Sequence, residues 1–128
     1  MNKYRNKIKE LVIDGELIKF HSIAESNRAM QLFLQQKAGE ISGLEYQPKY
    51  ILQEGFRLRG KKHQAITYSA DFRYIREGEL IVEDVKSKAT ESDKSYRKTR
   101  KLFLNRYGEE LFFHEVFMKG NRADVVKY

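Results

Sequence analysis

The chain of 128 residues contains no cysteine, a single proline (Pro48) and no long apolar run. Without cysteine there can be no disulfide framework, no thiolate zinc site and no cysteine nucleophile, and the composition fits a reducing compartment. No apolar run approaches the roughly 18 residues that cross a bilayer. No apolar stretch follows the basic start "MNKYRNKIKE", so the sequence predicts no signal peptide and no membrane contact. We therefore expect a cytoplasmic protein.

Positive charge exceeds negative charge along the chain. Lysine and arginine number 25 against 18 acidic residues, a net charge of +7, while 41% of the residues are hydrophobic and 34% are charged. These proportions are typical of a soluble globular domain. A basic domain is attracted to phosphate backbones, although solubility alone explains the charge equally well. Charge suggests a nucleic-acid partner without deciding an activity.

The first third of the chain predicts a hairpin followed by a helix. In "KELVIDGELIKF", two apolar-rich arms meet at Asp14-Gly15, a strong turn signal. The next stretch begins a helix at the N-cap Ser22 and ends it near Gly39. The residues expected on its buried face are Ile23, Met30, Phe33 and Leu34.

The remainder predicts three strands, a helix and a last strand. The strands are "EYQPKYILQE", with Pro48 near its start or on an edge, "HQAITYSADFRYI" and, after the turn "REGE", "LIVEDVKSK". In the second strand, one face is expected to carry Ile66, Tyr68, Ala70, Phe72 and Tyr74. A helix "SDKSYRKTRKLFLNRY" then ends at Gly108, and "ELFFHEVFM" is the last strand. Residues 1–128 are thus expected to form one domain, a hairpin in 1–20 and a mixed α/β sheet with covering helices in 21–118.

Charges interrupt the third strand where it should stay apolar. Leu80, Ile81 and Val82 are apolar in succession, but Asp84 and Lys86 follow on one side of the strand. Asp71 lies 13 residues earlier, on the strand paired through "REGE". Two carboxylates with a lysine one pleat away suit Mg²⁺, which needs one or two carboxylates and keeps several waters. The lysine would add positive charge beside a reacting phosphate or position the attacking water.

Asp71 followed by Asp84-Val85-Lys86 resembles the PD-(D/E)xK nuclease superfamily, and the order helix, three strands, helix, strand resembles its core. Five stretches resemble, more narrowly, small phage and prophage proteins of that superfamily: "NKYRNKI", "IDGELIKFHSIAE", "AGEISGLEYQPKYIL", "YSADFRYI" and "EDVKSK". That group is placed near Holliday junction resolvases and transposon end-cleaving endonucleases. Ala70, not proline, precedes Asp71 here.

The resemblance implies a restriction-endonuclease-like core and Mg²⁺-dependent hydrolysis of DNA, with Mn²⁺ as a substitute. It implies that Asp71 and Asp84 bind the metal, that Lys86 is catalytic, and that the protein acts in a bacterial host cell. Because resolvases cut two strands symmetrically, a homodimer is left open. Branched, linear and single-stranded DNA are not distinguished.

Two acids near the predicted site have competing interpretations. Glu25 matches the position of an additional metal-binding and catalytic acid on the first helix of many superfamily members. Ser22-Ile23-Ala24-Glu25 also fits a capping box, in which the glutamate bonds back to the N-cap amide. Glu83 should point to the opposite face from Asp84, as a paired structural acid.

Basic side chains form two candidate DNA contacts. The second helix is expected to pack through Tyr96, Thr99 or Arg100, Phe103 and Tyr107, and its outer charges are Lys94, Arg97, Lys98 and Lys101. The loop "RLRGKKHQ" adds Lys61 and Lys62. Both clusters also fit a simply solvated surface. The three histidines are scattered, and His114 is expected to be structural.

Three alternatives to an enzyme follow from the same residues. Asp71, Asp84 and Lys86 could form a salt-bridged surface hairpin without a function. A DNA-binding protein could retain the fold without cutting, and then its salt-sensitive binding would survive loss of both aspartates. A phage protein that binds a host protein would show little affinity for DNA.

Overall fold

The computed structural model describes residues 8–128, so most of the "NKYRNKI" stretch and the first part of the predicted 1–20 hairpin unit lie outside the described residues. The strands are β1 Lys9–Ile13, β2 Glu16–Phe20, β3 Ser42–Tyr46, β4 Lys49–Gln53, β5 Phe56–Leu58, β6 Lys61–His63, β7 Ile66–Ser69, β8 Phe72–Arg76, β9 Glu79–Val85, β10 Phe112–Lys119 and β11 Arg122–Lys127. The helices are α1 Ile23–Lys37, α2 Lys88–Glu91 and α3 Lys94–Tyr107. No helix in this part of the chain is long and apolar enough to cross a membrane.

A five-stranded mixed sheet organises the molecule, in the order β11-β10-β9-β8-β3. β9 and β10 are parallel because α3 lies between them in the chain, and the other pairs are antiparallel. Three two-stranded sheets complete the structure: β1-β2, β4-β7 and β5-β6. The expected α/β class with a mixed sheet is therefore confirmed.

Hydrophobic clusters cover both faces of the sheet. The cluster on the α1 side contains Ile81 and Val85, whereas the cluster on the α3 side contains Val82. Because β9 is covered on both sides, its side chains from Ile81 to Val85 are all buried, including two acids. A charged residue at the end of this strand is thus enclosed by protein.

The predicted hairpin and the ends of α1 are confirmed. Asp14 and Gly15 have φ angles of 52° and 77°, the left-handed values that a tight hairpin turn requires. The Ser22 side chain accepts a hydrogen bond from the first turn of α1, and Gly39 follows the helix with a φ of 78°.

The predicted buried face of α1 is wrong. Of the four residues expected there, Ile23, Met30 and Leu34 are exposed and Phe33 is partly buried. The buried positions are instead Ser26, Arg28, Ala29 and Leu32. Arg28 lies inward because it pairs with a buried acid of β9, and apolar periodicity could not reveal that partner.

Two strands that the sequence predicts as continuous are broken at the same level. The first ends before Gln47, which has a φ of 57°, and resumes after Pro48; the second is interrupted at residues 70–71. Backbone bonds still cross the break, from Gln47 N–H to the Asp71 carbonyl (2.9 Å) and from Ala70 N–H to the Pro48 carbonyl (3.0 Å). The inner halves, β3 and β8, belong to the main sheet, and the outer halves, β4 and β7, pair separately.

The break also overturns the predicted single face of the second strand. Tyr68 and Ala70 pack in the cluster on the α3 side, whereas Phe72 and Tyr74 pack on the α1 side. The side-chain alternation is reset at Asp71, because regular strand geometry stops there.

Further elements were not predicted. β5, β6, β11 and the one-turn helix α2 had no assignment, and α3 begins at Lys94 with Asp93 as its N-cap rather than at Ser92. Its end at Gly108 is as predicted. The sheet continues through β11, beyond the expected limit of the core at residue 118, because β11 pairs with β10.

Candidate functional site

The end of β9 places Asp84 and Lys86 together, as predicted. The Asp84 side chain is 2% exposed, and its Oδ2 lies 3.3 Å from the Lys86 Nζ. The Tyr68 hydroxyl donates a hydrogen bond to the same oxygen. A buried carboxylate needs such partners, because burial without them disfavours its charge. Asp84 is thus held in one position by a phenol and an ammonium.

Asp71 comes to the same place from the break between β7 and β8. Its Oδ2 accepts the Val85 N–H at 2.6 Å, and its own N–H donates to the Glu83 carbonyl at 3.0 Å. The pKa of Asp71 is raised to about 9, chiefly by burial and in addition by the charge of Asp84 and a hydrogen bond to it. The predicted pairing of the two carboxylates is therefore present.

The negative charge of the two aspartates is only partly balanced by Lys86, and a bound cation would balance the rest. A fully buried carboxylate, Asp84, and a partly buried one, Asp71, face one ammonium, and the raised pKa of Asp71 means that the pair retains a proton near neutral pH. Oxygen ligands are what Mg²⁺ prefers, and one or two carboxylates are its usual protein share. The pair therefore fits a divalent cation.

Glu25 lies at the first turn of α1, beside this pair. Its N–H donates to Ser22 Oγ (3.0 Å), and its Oε2 accepts the His21 N–H (3.3 Å). Ser22 thus caps the helix as predicted, but the Glu25 carboxylate bonds to the amide of His21, one residue before the N-cap, and not to the N-cap amide as in a capping box. Burial raises the pKa of Glu25, and the charge of Asp84 adds to this rise while Lys86 opposes it.

No group of three or more His, Asp or Glu side chains within residues 8–128 is arranged to hold a metal ion. Glu25 as an additional ligand therefore stays a prediction. An open cleft of about 390 Å³ adjoins the site, and its lining includes Ser22, Glu25, Lys86, Ser87 and Thr90. A ligand that entered this cleft would meet Lys86 and Glu25 together.

A third buried acid, Glu115 on β10, which the sequence analysis did not identify, supports Lys86 indirectly. The Lys86 Nζ lies 4.6 Å from the centre of the Tyr96 ring, and the Tyr96 hydroxyl donates to Glu115. Glu115, directly beside Asp84 in the parallel register, also accepts from Arg100 (2.9 Å) and Tyr128 (2.7 Å). Burial alone would raise the pKa of Glu115, but these three donors hold it below its ordinary value. The sequence feature that could have revealed it is the position of this acid in an apolar strand, on the same face as Phe113 and Phe117.

Glu83 is the paired structural acid that alternation predicted. Its two carboxylate oxygens accept from Arg28 Nε (2.8 Å) and Arg28 Nη2 (2.7 Å), and the Tyr74 hydroxyl donates as well. This cluster lies on the α1 side of β9, opposite Asp84. It has all its partners within the protein and so fits a structural role.

The residues predicted to contact DNA occupy two separate surfaces. Lys94, Lys98 and Lys101 are exposed on α3. Arg97 is also exposed but is engaged, since its Nε donates to the Glu91 carbonyl at 2.9 Å. Lys61 and Lys62 are exposed and lie in β6, far along the chain from α3.

Comparison with known proteins gives a family but no activity. No curated protein matches the chain. A solved structure described as the crystal structure of SSO0001 is similar at 16% identity and a TM-score of 0.45, over 80% of this chain and 46% of that one. The chain thus spans less than half the length of that protein. A family model matches residues 1–119, which is most of the sequence, so the chain belongs to the family described as protein of unknown function (DUF1064).

Proposed function

We propose that this protein is a metal-dependent DNA endonuclease of the PD-(D/E)xK type, built on a restriction-endonuclease-like core. The observation that carries the proposal is the convergence of Asp71, Asp84 and Lys86 at the buried end of β9. The order α1, then the main-sheet strands β3, β8 and β9, then α3 and β10 supports it, with β4 to β7 inserted between β3 and β8.

Each side chain of the site has a role in phosphodiester hydrolysis. Asp71 and Asp84 would hold Mg²⁺, or Mn²⁺ in its place, and Glu25 would add a ligand from the cleft side. A bound divalent cation supplies charge neutralisation and a more acidic water. Lys86 places an ammonium beside the phosphate, where negative charge grows in the transition state. Tyr68 fixes the orientation of Asp84 through its hydrogen bond.

The exposed basic side chains indicate that the substrate of the proposed enzyme is DNA. Lys94, Lys98 and Lys101 present positive charge on α3, which follows the site in the chain after the one-turn helix α2. Phosphate contacts of this kind release counterions and add affinity without reading sequence. We propose DNA of phage recombination or replication, inside a bacterial host cell, with a homodimer where two strands are cut.

A non-catalytic DNA-binding protein is the second candidate. It is favoured by the partners that the two aspartates already have within the protein, the Tyr68 hydroxyl and Lys86 for Asp84 and the Val85 N–H for Asp71. In that case the pair stabilises the sheet and the lysines bind phosphate. DNA binding would then persist after either aspartate is replaced.

The test is cleavage of three labelled DNAs: a four-way junction, a linear duplex and a single strand. Each is incubated with Mg²⁺, Mn²⁺ or EDTA. We expect metal-dependent cutting that falls at least about 100-fold in Asp84→Asn, because the loss of one ligand weakens charge stabilisation at the phosphate. Asp124→Asn is the matched control, since this aspartate lies on β11 and pairs with Arg122. Cutting by Asp84→Asn at the rate of the wild type would refute the nuclease assignment.

A further inference from the structure

An arm of two strands extends from the candidate site. β4 and β7 pair next to the break at Asp71, and the chain continues outward into β5 and β6, which also pair. We call residues 54–64 the finger. At its base, a Cβ on Gly55 would lie 3.0 Å from the His63 carbonyl oxygen, so the two strands approach closely there and only glycine fits without adjustment.

The arm is anchored where it leaves the body of the protein. The Tyr50 ring lies 5.1 Å from that of Phe103 in α3, and the Tyr107 hydroxyl donates to the Ile51 carbonyl at 2.7 Å. On the other strand, Tyr68 bonds to Asp84. The direction of the arm is therefore tied to the carboxylates of the candidate site.

Beyond its base, where Glu54 pairs with Arg106 of α3 at 3.6 Å, the finger has no covering layer in the described part of the chain. Every residue of β5 and β6 is exposed, and two of them are apolar, Phe56 and Leu58. A two-stranded ribbon with no covering layer is marginal in water. The exposed side chains of the finger therefore do not serve mainly to stabilise the hairpin, and their chemistry needs another explanation.

The charges of the finger work against its own stability. Arg57 lies directly opposite Lys62, and like charges in that position repel. Arg59 occupies the turn with a φ of 48°, before Gly60, at a position that asparagine or aspartate would fill more easily. Among residues 8–128, no acidic side chain lies within 4.0 Å of the charged groups of Arg57, Arg59, Lys61 or Lys62.

A second hairpin also has two cations opposite each other, but there an acid neutralises one of them. Lys119 and Arg122 also face each other across a hairpin, β10-β11, but Arg122 is paired with Asp124 at 3.1 Å. The finger has unneutralised positive charge where the other hairpin has an acid. An anionic polymer would supply the missing partner.

We propose that the finger docks in a groove of double-stranded DNA and holds the duplex relative to the carboxylates. A two-stranded ribbon fits the major groove, about 12 Å wide, and would bring Arg57 and Lys62 to phosphates on one face. Lys61 lies eight residues before Ser69, roughly 26 Å along the arm. At about 3.4 Å per base pair, the finger reaches roughly eight base pairs from the site.

Single-stranded DNA fits the finger less well. Binding of single strands relies on aromatic rings on which bases stack. The finger has one such ring, Phe56, and His63 already stacks on it at 4.6 Å with an interplanar angle of 10°. The substrate class is therefore DNA with a duplex segment beside the cut. This inference rests on the proposed function for the place of cutting, but not for the binding itself.

The experiment measures binding of fluorescent 30-base-pair duplex and 30-nucleotide single strand in EDTA, so that no cleavage occurs. Arg57→Gln/Lys62→Gln is compared with Lys119→Gln/Arg122→Gln, which removes the same charge from a directly paired position on another hairpin. We expect the finger variant to lose at least about tenfold in affinity for duplex, and its salt slope to fall by about 2. The control variant should lose less than about threefold. Thermal melting of each variant verifies folding.

The outcomes separate this inference from the nuclease. Equal losses in the two variants, equal losses for duplex and single strand, or no duplex binding by the wild type would each overturn the finger assignment. Finger-dependent duplex binding without metal-dependent cutting would retain the inference and reject the nuclease. If the finger substitutions changed neither the Asp84-dependent cutting nor the affinity for duplex, the nuclease would be retained and the finger assignment rejected.

Discussion

At the scale of single residues, Asp71 has an environment unlike that of an ordinary surface acid. Its carboxylate accepts the Val85 N–H, a group that a backbone carbonyl of a neighbouring strand would ordinarily bind. The same carboxylate lies against Asp84. Burial comes first among the reasons why its pKa rises to about 9. The same burial gives a bound metal ion an advantage there, since a divalent cation, like the retained proton, lowers the repulsion between the two carboxylates.

The raised pKa of Asp71 predicts a pH dependence of stability in metal-free protein. Between the unfolded pKa of 3.8 and the folded value of about 9, the folded state binds a proton that the unfolded state releases. The free energy of unfolding should therefore fall as pH rises through this window, by at most about 1.4 kcal/mol per pH unit. Asp71→Asn should remove this component, as measured by urea unfolding in EDTA from about pH 5 to about pH 8.

Asp124→Asn is the control for that series, because it removes an acid from a more exposed ion pair. It should keep the slope of the wild type. A slope in Asp71→Asn that equals that of the wild type would show that the proton is not held at Asp71.

At the scale of elements, the shared break in two neighbouring strands creates the site. Because regular pairing stops at Gln47-Pro48 and at Ala70-Asp71, the Asp71 carboxylate can turn toward the end of β9. The same break turns β4 and β7 away as the base of the arm. The candidate site and the finger thus have one structural origin.

A buried ion pair links α1 to β9 and predicts a large effect on stability. Arg28→Met would leave the fully buried Glu83 without its guanidinium partner and should cost about 3–5 kcal/mol. Arg28→Met/Glu83→Met removes both charges and should recover at least about 2 kcal/mol of that loss. Urea unfolding of the two variants and the wild type measures both values.

The control for this pair is Arg122→Met, whose partner Asp124 is partly exposed. Exposed pairs contribute about 0–1 kcal/mol, so the change should be within that range. If the single Arg28 variant were as stable as the double variant, Glu83 would not depend on Arg28.

At the scale of the whole molecule, a metal ion bound at the carboxylates should stabilise the entire fold. Any ligand that binds the folded state and not the unfolded state raises the free energy of unfolding by RT ln(1 + [L]/Kd), about 1.4 kcal/mol at ten times Kd. For a chain of 128 residues this corresponds to a rise in Tm of roughly 5 °C. Calorimetry with Mg²⁺ or Mn²⁺ against a potassium salt of equal ionic strength measures the shift.

Asp84→Asn should lose most of this thermal shift, while Asp124→Asn should keep it. Because the readout is melting, it is independent of cleavage and tests the metal site even if the protein only binds DNA. Equal shifts in wild type and Asp84→Asn would place the metal elsewhere.

Local signals in the sequence determined much of the architecture. Asp14-Gly15 identified the first hairpin, Ser22 and Gly39 the ends of α1, and the apolar run before Glu83 a strand covered on both faces. Alternation alone separated Asp84 from Glu83. These succeeded because caps, turns and strand period depend on neighbouring residues.

Only the tertiary structure decided the rest, because it depends on partners distant in the chain. Arg28 points inward because it pairs with Glu83, which is 55 residues away in the chain. This pairing overturned the apolar face predicted for α1. Glu115 acquires its role from donors on α3 and at Tyr128. The break at Asp71 interrupts an alternation that reads as continuous, since pairing across two strands, and not local preference, ends the regular ladder there.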